Sequence, residues 1–328
     1  MKENKNQRYD IIGDIHGHAD ELDALLETLG YRNVEKSRRH PDGRKAIFLG
    51  DYIDRGPKIR EVLQTVRGMV DAGQALAILG NHEVNAMRYD TVGTDGQHLR
   101  QQTPKNRGQH QATLDQFPDR AEWAGWLEWF ASLPLSLDLG GLRAVHACWD
   151  NEAILEMNTI GRLEGATLER YSRKDAPGHE TISRIINGPE ALLPEGFAHE
   201  TADGTMRGDM RVKWWIDLVG VTCRAAMFPE DPRVPDDQLP LNLPKTGYPE
   251  DAPPTFFGHY AQKSPAPAPI RPNLACLDYG TGKGGSLCAY RWDGEREIDP
   301  EKFCTAANLS ENAKVPVDFD RAGTSCML

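Results

Sequence analysis

The chain predicts an α/β fold, and three observations carry that prediction. Short, nearly continuous apolar runs of strand length occur three times before residue 80. Each ends in a glycine followed by polar residues, and helix-spaced apolar residues fill the gaps between them. Buried parallel strands read as such runs. Strand, helix, strand, helix, strand is the order of right-handed parallel crossovers.

The first run, Tyr9-Asp10-Ile11-Ile12, enters Gly13-Asp14-Ile15-His16-Gly17. Leu22, Leu25, Leu26 and Leu29 then fall at helical spacing, with Gly30 placed to end that helix. Pro41-Asp42-Gly43 signals a turn before the second run, Ala46-Ile47-Phe48-Leu49, which enters Gly50-Asp51-Tyr52-Ile53-Asp54-Arg55-Gly56. Val62, Val66, Met69 and Val70 mark a second helix ending near Gly73. The third run, Ala75 to Leu79, enters Gly80-Asn81-His82-Glu83.

From Asn85 to Pro118 the chain is polar and weakly periodic, which predicts a long loop, a cap or solvated surface. Trp123, Trp126, Leu127 and Phe130 give a short helix with an aromatic core face. Leu135–Leu139 and Leu142–His146, joined at Gly140-Gly141, read as a β-hairpin. Within Asn151–Asp251, helices are expected near Glu152–Met157 and Glu180–Ile186, a buried run at Lys213–Ile216, and a loop-like connection from Phe228 to Pro254. Thr255-Phe256-Phe257 is a further apolar run, ending in Gly258-His259. Asn273–Tyr279 and Ser286–Trp292 predict another hairpin, turning at Gly280–Gly285. That turn matches G-x-G-x-x-G but precedes a strand, so no helix N-terminus awaits a pyrophosphate. The organisation expected is one domain over 1–304, with an insertion at about 151–254 and a loose C-terminal tail at 305–328.

Composition excludes several classes. A net charge of −11 argues against a general nucleic-acid binder, which needs excess Lys and Arg facing phosphates. It does not exclude a phosphorylated substrate, because metal ions supply a local positive field. No apolar run approaches the roughly 20 residues that span a bilayer, so no membrane partner is expected. The N-terminal residues lack the apolar centre of a secretory signal. Six scattered cysteines without a C-x-x-C pair read as free thiols in a reducing cytoplasm.

In open α/β sheets, ligands gather beyond the carboxyl ends of the strands. The three strand tips would therefore deliver Asp14, His16, Asp51, Asn81 and neighbouring groups to one crevice. The hairpin adds His146 and the later run adds His259. Imidazole with carboxylate and amide oxygen, and no thiolate, suits Mn, Fe, Zn or Co. Two divalent ions need a shared ligand, and Asp51, in the middle of the series, is the natural bridge. A pair about 3.5–4 Å apart can hold a bridging water and clamp an in-line displacement at phosphorus. A lone histidine in a loop is usually solvated surface, which is the expectation for His18, His40, His98, His110, His179 and His199.

Together with Val145-His146-Ala147 and Gly258-His259, the three opening blocks resemble the five blocks of the calcineurin-like metallophosphoesterases, in the family's order. Asp54-Arg55-Gly56 and Asn81-His82-Glu83 are most similar to the phosphoprotein phosphatase branch and to bacterial diadenosine tetraphosphatase-like enzymes. The resemblance implies a four-layer α/β/β/α sandwich of two mixed sheets. It implies one metal on Asp14, His16 and Asp51, and a second on Asp51, Asn81, His146 and His259. It implies His82 as general acid, Asp54 as its orienting partner, and Arg55 as the arginine that holds the phosphoryl group. Attack by a metal-bridging hydroxide follows from the same likeness. The chemistry agrees, since His is the usual proton donor near neutral pH and a guanidinium fork fits two phosphate oxygens.

The chain departs from the family at His146-Ala147-Cys148-Trp149, where many relatives carry His-Gly-Gly or His-Ala-Gly. It also lacks a second histidine after Gly258-His259, as the phosphoprotein phosphatase branch does. A second phosphate-binding basic residue is expected, with Arg207, Arg211, Lys213 and Arg224 unranked. The substrate expected is a small nucleotide such as a dinucleoside polyphosphate, on the grounds that the polar stretch from Asn85 and the Trp-bearing insertion could wall in a base. The alternatives are a phosphorylated Ser or Thr on a protein, or a non-catalytic metal-binding module.

Overall fold

Consecutive residues of a strand face opposite ways, and the first strand, β1 (Tyr9–Ile12), is buried on both faces. Ile11 joins one apolar cluster and Ile12 another, so layers cover both sides of it. The structure is a computed structural model describing residues 7–35, 37–176, 178–200, 206–264 and 266–305. The expected tail, apart from Thr305, lies outside the described residues.

After β1, helix α1 (Ala19–Thr28) buries Leu22, Leu25 and Leu26. A small hairpin, β2 (Arg32–Val34) with β3 (Ser37–Arg39), precedes β4 (Lys45–Phe48). Helix α2 (Ile59–Asp71) buries Ile59, Val62, Leu63, Val66 and Met69, and β5 (Ala75–Ala77) follows. β4 runs parallel to both β1 and β5, as the crossover pattern predicts.

The polar stretch from Asn85 is not a loop. It holds the rest of α3 (Asn81–Asp90) and all of α4 (Pro104–Gln116). Thr103 caps α4, accepting the Asn106 N–H at 3.2 Å, with Pro104 in the first turn. The only buried residues of α4 are His110 and Thr113, so it lacks the apolar stripe that a helix reading needs. Helix α5 (Arg120–Ala131) is capped by Asp119 and buries Trp123, Trp129 and Phe130. The expected hairpin forms from β6 (Ser136–Asp138) and β7 (Arg143–Val145).

Next come α6 (Asn151–Met157), α7 (Gly165–Arg170) and α8 (Gly178–Asn187). Four short strands follow: β8 (Glu190–Leu192), β9 (His199–Glu200), β10 (Met206–Arg207) and β11 (Asp209–Arg211). Helix α9 (Cys223–Ala226) completes this region. The stretch expected as an insertion is thus of two kinds. Ala153, Ile154 and Met157 of α6 and Ile182, Ile185 and Ile186 of α8 belong to the main core. Residues from Ala191 to Val234 build a separate small core around Met210, Val212, Leu218 and Met227.

The last strands are β12 (Thr255–Phe257), β13 (Leu274–Cys276), β14 (Cys288–Trp292) and β15 (Phe303–Thr305). The expected hairpin over 273–292 does not form. β13 pairs parallel with β12, whereas β14 lies antiparallel between β1 and β15. Leu274, Ala275 and Cys276 are all buried, as are Cys288, Ala289 and Tyr290, which suits strands covered on both faces in two different sheets. The chain crosses between sheets through 277–287. Gly280–Gly285 holds a 3-10 turn, Thr281–Lys283, between two left-handed glycines.

Two mixed sheets result, ordered β15-β14-β1-β4-β5 and β13-β12-β7-β6. Ile11, Ile47 and Tyr290 of the first meet Ala144, Phe256 and Ala275 of the second. On the outer face of the first, Ile12, Ala46 and Phe48 join the same cluster as α1 and α2. On the outer face of the second, Phe257 and Cys276 join it with α6 and α8. This is the four-layer α/β/β/α sandwich. Among the described residues, no helix is long and apolar enough to cross a membrane. Cys148, Cys223, Cys276, Cys288 and Cys304 are free thiols, and Cys326 lies outside the described residues.

Candidate metal centre

The loops beyond β1, β4, β5, β7 and β12 are joined by backbone and side-chain hydrogen bonds at one end of the two sheets. The His16 and Gly17 N–H groups donate to the carbonyls of Asp51 (2.8 Å) and Tyr52 (2.9 Å). Glu83, fully buried, gathers the next two loops: its carboxylate accepts from the N–H groups of Asp51 (2.9 Å), Tyr52 (2.8 Å) and Gly80 (3.0 Å). The Gly258 N–H donates to the His146 carbonyl (2.8 Å), and the His259 N–H to Asp14 Oδ2 (3.1 Å). Two glycines make room for this. A Cβ on Gly80 would fall 2.2 Å from Asp51 Oδ1, and one on Gly258 would fall 2.0 Å from Asp14 Oδ1.

Seven non-glycine residues among those described have positive φ, and five of them are His16, Asp51, Asp54, Arg55 and His259. Such backbone costs about 1–3 kcal/mol each and persists where the surroundings over-determine it. The loop hydrogen bonds provide that restraint.

Asp51 lies at the centre. Its Oδ2 is 3.5 Å from His16 Nε2, and its Oδ1 is 3.4 Å from His146 Nε2. The Nδ1–H of His16 donates to the Ile53 carbonyl (3.0 Å) and that of His146 to the Leu49 carbonyl (2.7 Å). Each ring is thereby held in the tautomer that turns an Nε2 lone pair inward. That lone pair on His146 faces Asn81 Oδ1 at 3.0 Å. The Nε2 of His259 is buried without a partner. Ligand atoms of Asp51, His146 and His259 lie within 4.8 Å of one another, as do those of His16, Asp51 and His82. Asp14 is in neither trio; its carboxylate turns to the His259 N–H.

The electrostatics call for a cation. Burial, with the nearby charges of Asp278 and Asp51, pushes the Asp14 carboxyl well above its usual range. Burial also pushes the His16 imidazole down to about 3, and His259 well below its ordinary value, with Arg211 adding to the latter. Burial works to raise Asp51, but the imidazoles of His146, His82 and His16 outweigh it and hold the carboxyl low. Lone pairs facing lone pairs, an orphaned imidazole nitrogen and clustered acids are the donor set of a divalent transition metal. These residues fit two such ions.

Beside this centre, His82 Nδ1 meets Asp54 Oδ2 at 2.5 Å, and its Nε2 lies 3.4 Å from Arg55 Nη2. Asp54 is in turn gripped through its other oxygen, by His110 Nδ1 at 2.7 Å and by the Thr113 hydroxyl at 2.6 Å. Burial opposes ionisation of Asp54, but hydrogen bonds from His110 and His82 hold its carboxyl well below the usual range. Burial opposes charge on His82 too, yet Asp51 and Asp54 raise its pKa.

His110 was expected on the solvated surface and is 3% exposed; its polar helix gave no sign of a buried face. His40 is likewise buried, against Tyr31. Asp278 and Glu83 are further buried acids at the site that no isolated motif would pick out. Gly282, in the crossing loop, would place a Cβ 2.5 Å from Arg55 Cδ, so that loop abuts the site.

The structure ranks the four basic candidates. Arg207 pairs with Asp209 and Glu190, Lys213 with Glu230, and Arg224 with Asp236 and the Val234 carbonyl. Arg211 instead stacks over Tyr260, approaches the His259 carbonyl at 3.4 Å, and keeps a buried Nε without a partner.

The family described as calcineurin-like phosphoesterase matches residues 8–200. An asymmetrical bis(5'-nucleosyl)-tetraphosphatase from Halalkalibacterium halodurans is 46% identical over 82 residues, 25% of this chain and 33% of its own. The chain thus matches only about a third of the length of such relatives. A symmetrical bis(5'-nucleosyl)-tetraphosphatase from Aromatoleum aromaticum is 27% identical over 303 residues, covering 87% of this chain and 93% of its own. Among solved structures, a protein serine/threonine phosphatase from Saccharomyces cerevisiae aligns with TM-score 0.49 and 12% identity, over 93% of this chain and 80% of its own.

Proposed function

We propose that this chain, which belongs to the calcineurin-like phosphoesterase family, hydrolyses phosphate anhydrides or esters of a small nucleotide such as a dinucleoside polyphosphate. The observation that carries the reading is Asp51, whose two carboxylate oxygens each approach a different imidazole, Oδ2 that of His16 and Oδ1 that of His146. The names of the tetraphosphatase relatives support the substrate, one of them aligned along nearly its whole length.

The family depends on two metal ions. In this chain Asp14, His16 and Asp51 would hold one, and Asp51, Asn81, His146 and His259 the other. Manganese is the ion we favour, ahead of Fe, Zn or Co, for a donor set of imidazole, carboxylate and amide oxygen. When bound, such a pair supplies charge to the phosphoryl oxygens and acidifies water.

The chain's own residues do the rest. Arg55 and Arg211 bind phosphoryl oxygens from two sides of the centre. His82 gives the proton on Nε2 to the leaving oxygen, a contribution worth about 10²–10⁴-fold. Asp54 keeps the ring in that orientation and favours its charged form. His110 and Thr113 act one step further back, as positioning residues that fix the Asp54 carboxylate. Glu83 holds the Asp51 loop against the start of α3. We place the protein in the cytoplasm on its free thiols.

The test is a panel assayed with Mn: diadenosine tetraphosphate, a phosphoserine peptide and p-nitrophenyl phosphate. A kcat/KM for the dinucleotide at least about tenfold above the others is expected, roughly 1.4 kcal/mol of discrimination. Preference for the peptide would overturn the substrate, and no turnover of any would overturn the enzymatic reading.

A further inference from the structure

A cleft of about 980 Å³ opens beside the metal centre, with His259 and Arg211 at its inner end. One wall joins Met227 of the small separate core to Phe228, which packs against the main core; the other comes from the loops after β12 and β13. Phe228 is half-buried, packed on Tyr260 at 5.1 Å between ring centroids. Opposite, Tyr279 has its hydroxyl occupied by the Ala268 N–H at 3.1 Å.

The charges lining the cleft are unequal in their availability. Among the described residues five carboxylates line it, and each is taken up by a cation: Glu190 and Asp209 by Arg207, Glu200 and Asp231 by Arg233, and Glu230 by Lys213. Lys263 and Lys283 are exposed and pair with no carboxylate among the described residues. Two lysines left unneutralised on a chain of net charge −11 mark where negative charge on a ligand belongs. Arg55 and Arg211 already serve the phosphoryl group at the centre, so the lysines have charge to meet beyond it.

We propose that this cleft is a nucleoside-polyphosphate subsite. The base and ribose lie against Met227, Phe228 and Tyr279, and the phosphates run past Lys263 and Lys283 toward Arg211. The volume is at the upper end of the roughly 300–1,000 Å³ typical of small-molecule pockets. An apolar face at Met227, Phe228 and Tyr279, next to three cations that no lining carboxylate pairs (Arg211, Lys263 and Lys283), suits a base joined to phosphates better than an extended peptide, which needs an open groove. This rests on the phosphoesterase reading and adds to it where the ligand lies and what recognises it.

The test uses the Mn-loaded full chain and competition against p-nitrophenyl phosphate turnover. AMP and ribose 5-phosphate carry the same monoester and differ by the base, so AMP should inhibit at least about tenfold more tightly. In a K263E/K283E variant, both positions being exposed, the ratio of the inhibition constants for ADP and inorganic phosphate should shift about tenfold against ADP. Calorimetric titration of ADP into the same two proteins gives a second readout that needs no turnover. Equal inhibition by AMP and ribose 5-phosphate, with an unchanged ADP ratio, overturns the subsite even if diadenosine tetraphosphate is hydrolysed. A phosphoserine peptide that competes more tightly than AMP also overturns it. If no phosphoester is turned over, the phosphoesterase reading has failed, and the calorimetric difference alone decides the cleft.

Discussion

The floor of the site and the wall of the cleft are built in opposite ways. The floor consists of loop residues at the tips of central strands, each bonded to its neighbours across the sandwich. Asp51 alone receives contacts from the first, third and fourth loops through His16, His82 and His146. The wall consists of short strands and a four-residue helix around a core of its own. Phosphoryl transfer needs groups held within about 0.5 Å, which rigid elements supply. Recognition tolerates a separate unit attached at the rim, as loops and insertions commonly provide. The difference teaches that, with the proposed roles, chemistry and selectivity sit on separately built parts of the molecule.

Asp51→Asn is the most severe way to break that division. Loss of the central carboxylate should cut kcat by at least about 10³-fold and lower the bound metal per chain, read by elemental analysis. Two retained ions with normal turnover would move the centre elsewhere. Next, His82→Asn should lower kcat by about 10²–10⁴-fold with metal content unchanged; undiminished rates would remove His82 from the proton path. The double change His110→Ala, Thr113→Ala should cost about 10–100-fold. Its loss should be larger for an alkyl phosphate than for p-nitrophenyl phosphate, whose leaving group needs little protonation. An equal loss on both would make the pair merely structural.

Stability sharpens the same contrast. Ile47→Ala, between the sheets, and Met210→Ala, in the small core, should each cost about 2–5 kcal/mol. The first should lower the whole unfolding transition. The second should raise amide exchange over 189–235 while the floor stays protected; uniform exchange in both would show the wall and floor to be one cooperative unit. The smallest effect concerns acid. The side-chain hydrogen bond from Arg233 holds the Asp231 carboxyl down to about 2 from an ordinary 3.8. A depressed acid contributes stability above its unfolded pKa and loses it as pH falls through the folded one. The wall should therefore weaken between about pH 4 and pH 2, and Asp231→Asn should flatten that limb of a thermal-midpoint profile.

Legibility followed burial type. Asp14, His16, Asp51, Asn81, His146 and His259 stand after apolar runs, whose strand tips carry them to one end of the two sheets whatever lies between. The hairpin of β6 and β7, and helices α2, α5 and α8, announce themselves by apolar period. Helix α4 does not, because its buried face is His110 and Thr113, two polar residues whose partner is Asp54, 56 and 59 positions away. The strands over 273–292 misled for another reason: two apolar runs around a glycine-rich turn look alike whether they join one sheet or two.

The order of residues by itself determined the α/β class, the strand-tip loops and the residue types that reach the crevice, because local period and glycine chemistry act over a few positions. Tertiary structure decided which arginine lies beside His259 without a carboxylate partner among the described residues, what holds Asp54, and where the chain after β13 crosses to the other sheet. Those are choices among competing long-range partners. Their outcome depends on which ion pairs and buried hydrogen bonds are satisfied elsewhere, which no window of sequence contains.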